Sequence, residues 1–116
     1  MPKTLILVRR QTEADNLNRA LRKRTTQPMV PDYTAMSVAA VSAGHRFDRI
    51  WVTIHPELDV LPGEIESKRQ TRIQSERAAL DENWRCTLRP GGQMGYRPLS
   101  AVWEMVYESR EEHGHG

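Results

Sequence analysis

Apolar and polar positions change period several times along the chain, and each change marks an element. Leu5, Ile6, Leu7 and Val8 form an unbroken apolar run without alternation. That is the pattern of a short strand covered on both faces, as in a parallel sheet. The run stops at a polar cluster, Arg9-Arg10-Gln11-Thr12. Between Asn16 and Arg24, Leu17 and Leu21 sit at i, i+4 and predict a short helix with one apolar side. Thr25 to Pro28 and Pro31-Asp32 read as loop, because each proline removes a donor and biases its predecessor away from helix. Asp32 or Thr34 then caps an expected helix running to Gly44, with Met36, Ala39, Ala40 and Ala43 toward the core.

Phe47 to Thr53, rich in aromatic and β-branched residues, is the second strand candidate. Pro56 to Gly63 reads as a longer loop with Pro62-Gly63 as its turn. Glu64 to Leu80 contains no Gly or Pro and carries a thin stripe, Ile65, Ile73 and Leu80, so a largely solvent-facing helix is expected. Arg89-Pro90-Gly91-Gly92 is expected to be a loop, since two glycines beside a proline disfavour both regular elements. Pro98 suits the first turn of a last helix, whose buried stripe is Leu99, Val102, Trp103 and Val106. Strand, helix and strand in this order predict an α/β fold: a small, mainly parallel sheet with flanking helices. The crossover brings Thr53 and His55 to the sheet edge that carries Arg9 and Arg10.

Length and composition narrow this picture. The 116 residues make one domain, large enough for a core but short for a sheet covered on both faces. No apolar stretch approaches the ~20 residues that span a bilayer, and Met1-Pro2-Lys3 with a short apolar run falls short of a secretory signal. A cytoplasmic protein with no membrane contact is therefore expected. Cys86 is the sole cysteine, which rules out an intrachain disulfide and a zinc site built from several thiolates. His113 and His115 at i, i+2 are read as terminal surface residues and not as a metal site, and no cofactor is implied.

Formal charge is +2, unevenly spread: residues 1–52 carry nine Lys/Arg against four Asp/Glu, and the remainder eight against eleven. Arg19, Arg22, Lys23 and Arg24 are the densest cluster. It offers contacts to nucleic-acid phosphates or makes a solvated face, and the absence of interleaved aromatic residues favours the solvated face. In open α/β sheets ligands bind beyond the carboxyl ends of the strands, so Arg9 and Arg10 point to an anion such as phosphate.

The run Leu7-Val8-Arg9-Arg10-Gln11-Thr12-Glu13-Ala14-Asp15-Asn16 resembles the opening signature of the histidine phosphatase (phosphoglycerate mutase-like) superfamily, Leu-Val-Arg-His-Gly-Gln-Thr-Glu-Ala-x-Asn. The His-Gly pair is missing and Arg10 stands in the gap. In that family the histidine takes the phosphoryl group and the neighbouring arginine holds its oxygens, so the resemblance implies an arginine, Arg9, without its nucleophile. Residues 33–41 resemble the family's Leu-Thr-x-x-Gly-x-x-Gln-Ala helix, with Ser37 and Ala40 in place of glycine and glutamine. Gln70 and Thr71 match an Arg-Ala-x-Gln-Thr motif whose phosphate-holding arginine falls on Ser67, beside Lys68 and Arg69. Leu80-Asp81-Glu82 resembles the segment that carries the family's proposed acid, here Glu82, and residues 95–104 resemble its Gly-x-Pro-Leu-x-Glu-Val segment. Family members continue into a further strand and a second essential histidine, so the resemblance covers only the front of that fold.

These observations lead to a degenerate, shortened histidine-phosphatase-like protein that binds phosphate through Arg9, Arg10, Thr12, Lys68 and Arg69 and turns nothing over. Two other readings stay open. His55, at a strand end, replaces the lost nucleophile with Glu82 as acid. Alternatively, the fold has become a non-catalytic module for nucleic acid or an acidic protein. The missing strand would also leave a sheet edge on which two copies could pair.

Overall fold

The computed structural model describes residues 2–24, 32–40 and 46–114. Seven elements follow in order: β1 (Lys3–Val8), α1 (Gln11–Arg24), β2 (Asp32–Ser37), β3 (Phe47–Val52), α2 (Glu66–Cys86), β4 (Leu88–Tyr96) and α3 (Leu99–Gly114). The four strands form one sheet in the order β2-β1-β3-β4, and every pair is parallel. The α/β expectation therefore holds. Beta1 is central, and its apolar run is explained by cover on both sides: Ile6 and Val8 pack with α1 and α3, Leu5 and Leu7 with the face toward α2. Leu17 and Leu21 of α1 and Val102 and Val106 of α3 fill the first core, and Leu80 of α2 packs against the second.

Several boundaries and two assignments differ from the sequence reading. Residues 32–37 form a strand where a helix was expected. The free side of β1 needs a partner for its buried backbone groups, and Asp32 to Ser37 supply it in continuous register from Lys3↔Asp32 to Val8↔Ser37. Ala, Met and Ser suit either conformation locally, so the long-range pairing decides. Residues 33–37 of the stretch matched to the family's helix are thus extended here. Residues 89–92 also belong to a strand, not a loop. They lie where the register shifts, Phe47 pairing with Leu88 but Arg49 with Gln93, so β4 bulges between those pairs. An edge strand tolerates Pro90, and Gly91 supplies φ +82° at the bulge. Alpha1 starts at Gln11, because the Arg10 carbonyl already accepts the N–H of Glu13 and Ala14. Alpha2 is displaced toward the C-terminus, from Glu66 to Cys86.

The expected loop residues Thr25 to Pro28 and Pro31, residues 41–44 of the helix expected to run to Gly44, and His115 lie outside the described residues, as do the side chains of Lys23, Arg24 and His113. No helix among the described residues is long and apolar enough to cross a membrane.

Candidate functional site at the carboxyl edge of the sheet

Beta1 hands the chain to α1 and thence to β2 on one side, whereas β3 hands it to α2 and β4 on the other. The crevice between the ends of β1 and β3 is therefore the switch point where an open α/β sheet binds ligands. Thr53 closes its floor: its N–H and its Oγ1 both donate to the Leu7 carbonyl, at 3.1 and 2.8 Å. Arg9 leaves β1 and Ile54-His55 leave β3 at this level, as expected.

Arg9 is already engaged. Its Nε donates to Glu76 Oε2 at 2.7 Å, its Nη2 to Glu76 Oε1 at 3.1 Å and to Asp59 Oδ2 at 2.9 Å. Only 18% of the Arg9 side chain and 12% of that of Glu76 remain exposed, so this is a largely desolvated fork-to-fork pair. Hydrogen bonding to Glu76 raises the Arg9 pKa above its ordinary value, against the opposing effect of burial, with Asp59 adding to the rise. The same Asp59 oxygen accepts the backbone N–H of His55 at 2.9 Å. Burial pushes the Asp59 carboxyl up, but the His55 N–H and Arg9 outweigh it and hold the group below the usual carboxylate range.

A second arginine completes the cluster. Arg72 Nε donates to Glu64 at 2.8 Å and Nη1 to Glu76 at 2.8 Å, while Nη1 and Nη2 also bind the carbonyls of Pro56 and Asp59. The loop from Pro56 to Glu64 is thereby strapped onto α2 and onto the end of β1. Two guanidinium groups face three carboxylates, Asp59, Glu64 and Glu76, so the cluster carries no surplus positive charge. None of these carboxylates was recognised in the sequence. Their signal was weak: Glu76 and Arg72 at i, i+4 is an ordinary helix pair.

The remaining sequence candidates divide. Arg10 and Thr12 are exposed at the start of α1, and the Arg10 side chain makes no hydrogen bond or ion pair among the described residues. It borders a cleft of about 340 Å³ together with Arg9, Arg72, Ser75, Glu76 and Leu61. Lys68 is exposed on the first turns of α2, and Arg69 donates to the Glu57 carbonyl at 2.7 Å and pairs loosely with Glu66 at 3.7 Å. The His55 imidazole turns away from Arg9: Nδ1 accepts the Leu58 N–H at 3.4 Å and the ring meets the edge of Tyr96 at 6.0 Å. Glu82 stands exposed nearly two helical turns beyond Glu76 and does not join the cluster. The structure brings Arg9, Arg10, Thr12, Lys68, Arg69 and His55 to one edge and leaves Glu82 out.

Among the described residues, no group of three or more His, Cys, Asp or Glu could hold a metal ion. No protein-family model, curated protein or solved structure matches this chain.

Proposed function

We propose that this chain is a non-catalytic, degenerate histidine-phosphatase-like protein that works by binding an anionic partner. The observation that carries this reading is the engagement of Arg9. The guanidinium that the resemblance assigns to phosphate spends its Nε and Nη2 donors on Glu76 and Asp59, and among the described residues it bonds no histidine, serine, threonine or cysteine side chain. The His55 imidazole, directed to Leu58 and Tyr96, is poorly placed to replace that nucleophile. A carboxylate pair on the arginine also repels an incoming phosphate. Binding of anions then rests on arginines that no carboxylate holds.

The test pairs a generic phosphomonoesterase assay on wild type and His55→Ala with binding to a polyanion, heparin, at rising salt. No turnover together with binding that weakens steeply with salt is expected. Turnover abolished by His55→Ala would establish relocated chemistry instead. A second reading, a small phosphate-bearing ligand in the cleft of about 340 Å³, is favoured by the unpaired Arg10 at its rim. Stabilisation by inorganic phosphate that is lost in Arg10→Ala would support it.

A further inference from the structure

Two further arginines without a carboxylate partner among the described residues, Arg49 and Arg97, lie on the β3–β4 half of the sheet. Arg49, Trp51, Gln93 and Gly95 share one face, because Arg49 pairs with Gln93 and Trp51 with Gly95 in register. The Arg97 guanidinium lies 3.9 Å from the centroid of the Trp51 ring, and that of Arg49 lies 5.7 Å from it. The ring attracts both cations, Arg97 at contact distance and Arg49 near the outer limit, while most of their N–H edges stay unspent; Arg49 gives only its Nε, to Thr4 Oγ1 at 3.2 Å. Neither forms an ion pair among the described residues. This sets them apart from Arg9, Arg69, Arg72, Arg77, Arg85 and Arg89, each of which has a carboxylate.

Around them is a cleft of about 500 Å³. No Asp or Glu lines it, and its rim carries Trp84 and Tyr96, 52% and 57% exposed. Gly95 leaves open space on its strand surface, where a Cβ would meet nothing within 4 Å. A second cleft, of about 310 Å³, shares Trp84 and Gly92 with the first and continues along the bulge of β4 past Arg46, Arg85 and Arg89, again without an acidic residue in its lining. The two clefts thus bring arginines and exposed rings together around the free edge of β4, with Arg49 and Trp51 on one face of the sheet and Tyr96, paired with Val52, on the other.

We infer that this edge binds single-stranded nucleic acid, with Arg49 and Arg97, beside Trp51, on the phosphates and Trp84 and Tyr96 as stacking surfaces for bases. The inference rests on the non-catalytic, anion-binding reading above and names its partner and its place. Phosphates alone would need only the cations. Exposed rings beside them, in clefts whose linings carry no Asp or Glu although Arg85 and Arg89 pair with Asp81 and Asp48, match the combination that single strands require. A duplex keeps its bases stacked inside and offers nothing to Trp84 or Tyr96.

The experiment is fluorescence anisotropy of a labelled oligothymidylate of roughly twelve nucleotides. It compares wild type, Arg49→Ala, Arg97→Ala, Arg97→Lys, Trp84→Ala and an Arg19→Ala/Arg22→Ala double variant, with heparin and a duplex of equal length as competitors. Trp84 is 52% exposed, and circular dichroism checks that it and the arginine variants keep the fold. Affinity should fall roughly fivefold or more in Trp84→Ala and in Arg97→Ala, with Arg97→Lys intermediate because it keeps charge but not the stacked plane. The slope of log affinity against log salt should drop by about 0.7 for each arginine removed. The duplex should compete poorly. Loss confined to the Arg19→Ala/Arg22→Ala variant would overturn the site and keep the anion-binding reading. Heparin competing as well as the oligonucleotide, with Trp84→Ala silent, would overturn the nucleic-acid class alone. Failure to bind either polymer would overturn both.

Discussion

Arg9 and Glu76 meet fork to fork, with Nε to Oε2 at 2.7 Å and Nη2 to Oε1 at 3.1 Å, across a sequence separation of 67 residues. The pair ties the end of the central strand to the middle of α2, while Asp59 ties the intervening loop to both. Removing one partner of a buried pair is costly because it strands the other charge, and the residual exposure here softens that cost. Arg9→Ala should lose about 2 kcal/mol of stability, lowering the melting temperature by about 8 °C. Thermal unfolding by circular dichroism measures it. A variant as stable as wild type would mean that the pair contributes nothing to the fold.

Asp59 gives the same cluster a pH dependence. Its carboxyl is held below the ordinary value of about 3.9 because the His55 N–H and Arg9 outweigh the upward push of burial. Between the lowered native value and the ordinary one the unfolded chain binds more protons than the folded one. The stabilisation is therefore complete above about pH 4 and is lost as the pH falls through the native value. Urea unfolding of wild type and Asp59→Asn should show a difference at neutral pH that shrinks on acidification. A difference that stays constant down to the acid end would contradict the linkage.

The side-chain amide of Asn18 acts on Ala35 as a further strand would. Its Nδ2 donates to the Ala35 carbonyl and its Oδ1 accepts the Ala35 N–H, both at 2.8 Å. Ala35 is only 2% exposed, so water cannot replace these bonds. Asn18→Ala should cost about 1–3 kcal/mol, and Asn18→Asp should do no better, since a carboxylate repels the carbonyl. The amide also blocks part of the β2 edge against strand addition by a second copy. Light scattering over a concentration series would show self-association increasing in Asn18→Ala if that edge is a pairing hazard. Unchanged monomer behaviour would leave β4 as the edge to examine.

Gly92 and Gly95 lie three residues apart in β4 and should respond oppositely to a methyl group. A Cβ at Gly92 would come within 2.7 Å of the Asp48 carbonyl oxygen, 2.8 Å of Leu88 Cδ1 and 2.9 Å of the Arg89 carbonyl oxygen, two of which are backbone. At Gly95 it would meet nothing within 4 Å. Gly92→Ala should destabilise by about 1–3 kcal/mol, and Gly95→Ala should stay within about 0.5 kcal/mol of wild type. Denaturant midpoints of the two variants compare them directly, and equal midpoints would refute the close approach at the bulge.

What could be read locally was read from short-range patterns. The central strand announced itself through four consecutive apolar residues, β3 through Phe47, Ile50, Trp51 and Val52, and the helices through Leu17 and Leu21, Ile73 and Leu80, Val102 and Val106. Each is a regularity within a few residues, set by the geometry of one helix or strand. The arrival of Arg9, Arg10 and His55 at one edge also followed, because parallel strands joined by crossovers end on the same side.

The sequence by itself therefore determined an α/β sheet, its central strand and the edge where its polar residues collect. Tertiary structure alone decided three things. Residues 32–37 became a strand because the open side of β1 lay beside them. Arg9 became a structural tie because folding brought Glu76 and Asp59 onto it, and nothing near Arg9 in the chain foretells carboxylates so distant in sequence. Arg49 and Arg97, which have no carboxylate partner among the described residues, met Trp51 on the β3–β4 half of the sheet, where Trp84 and Tyr96 line the same cleft. Which cation is neutralised and which stays free depends on distances across the fold, since charge acts through space while sequence patterns record only neighbours along the chain.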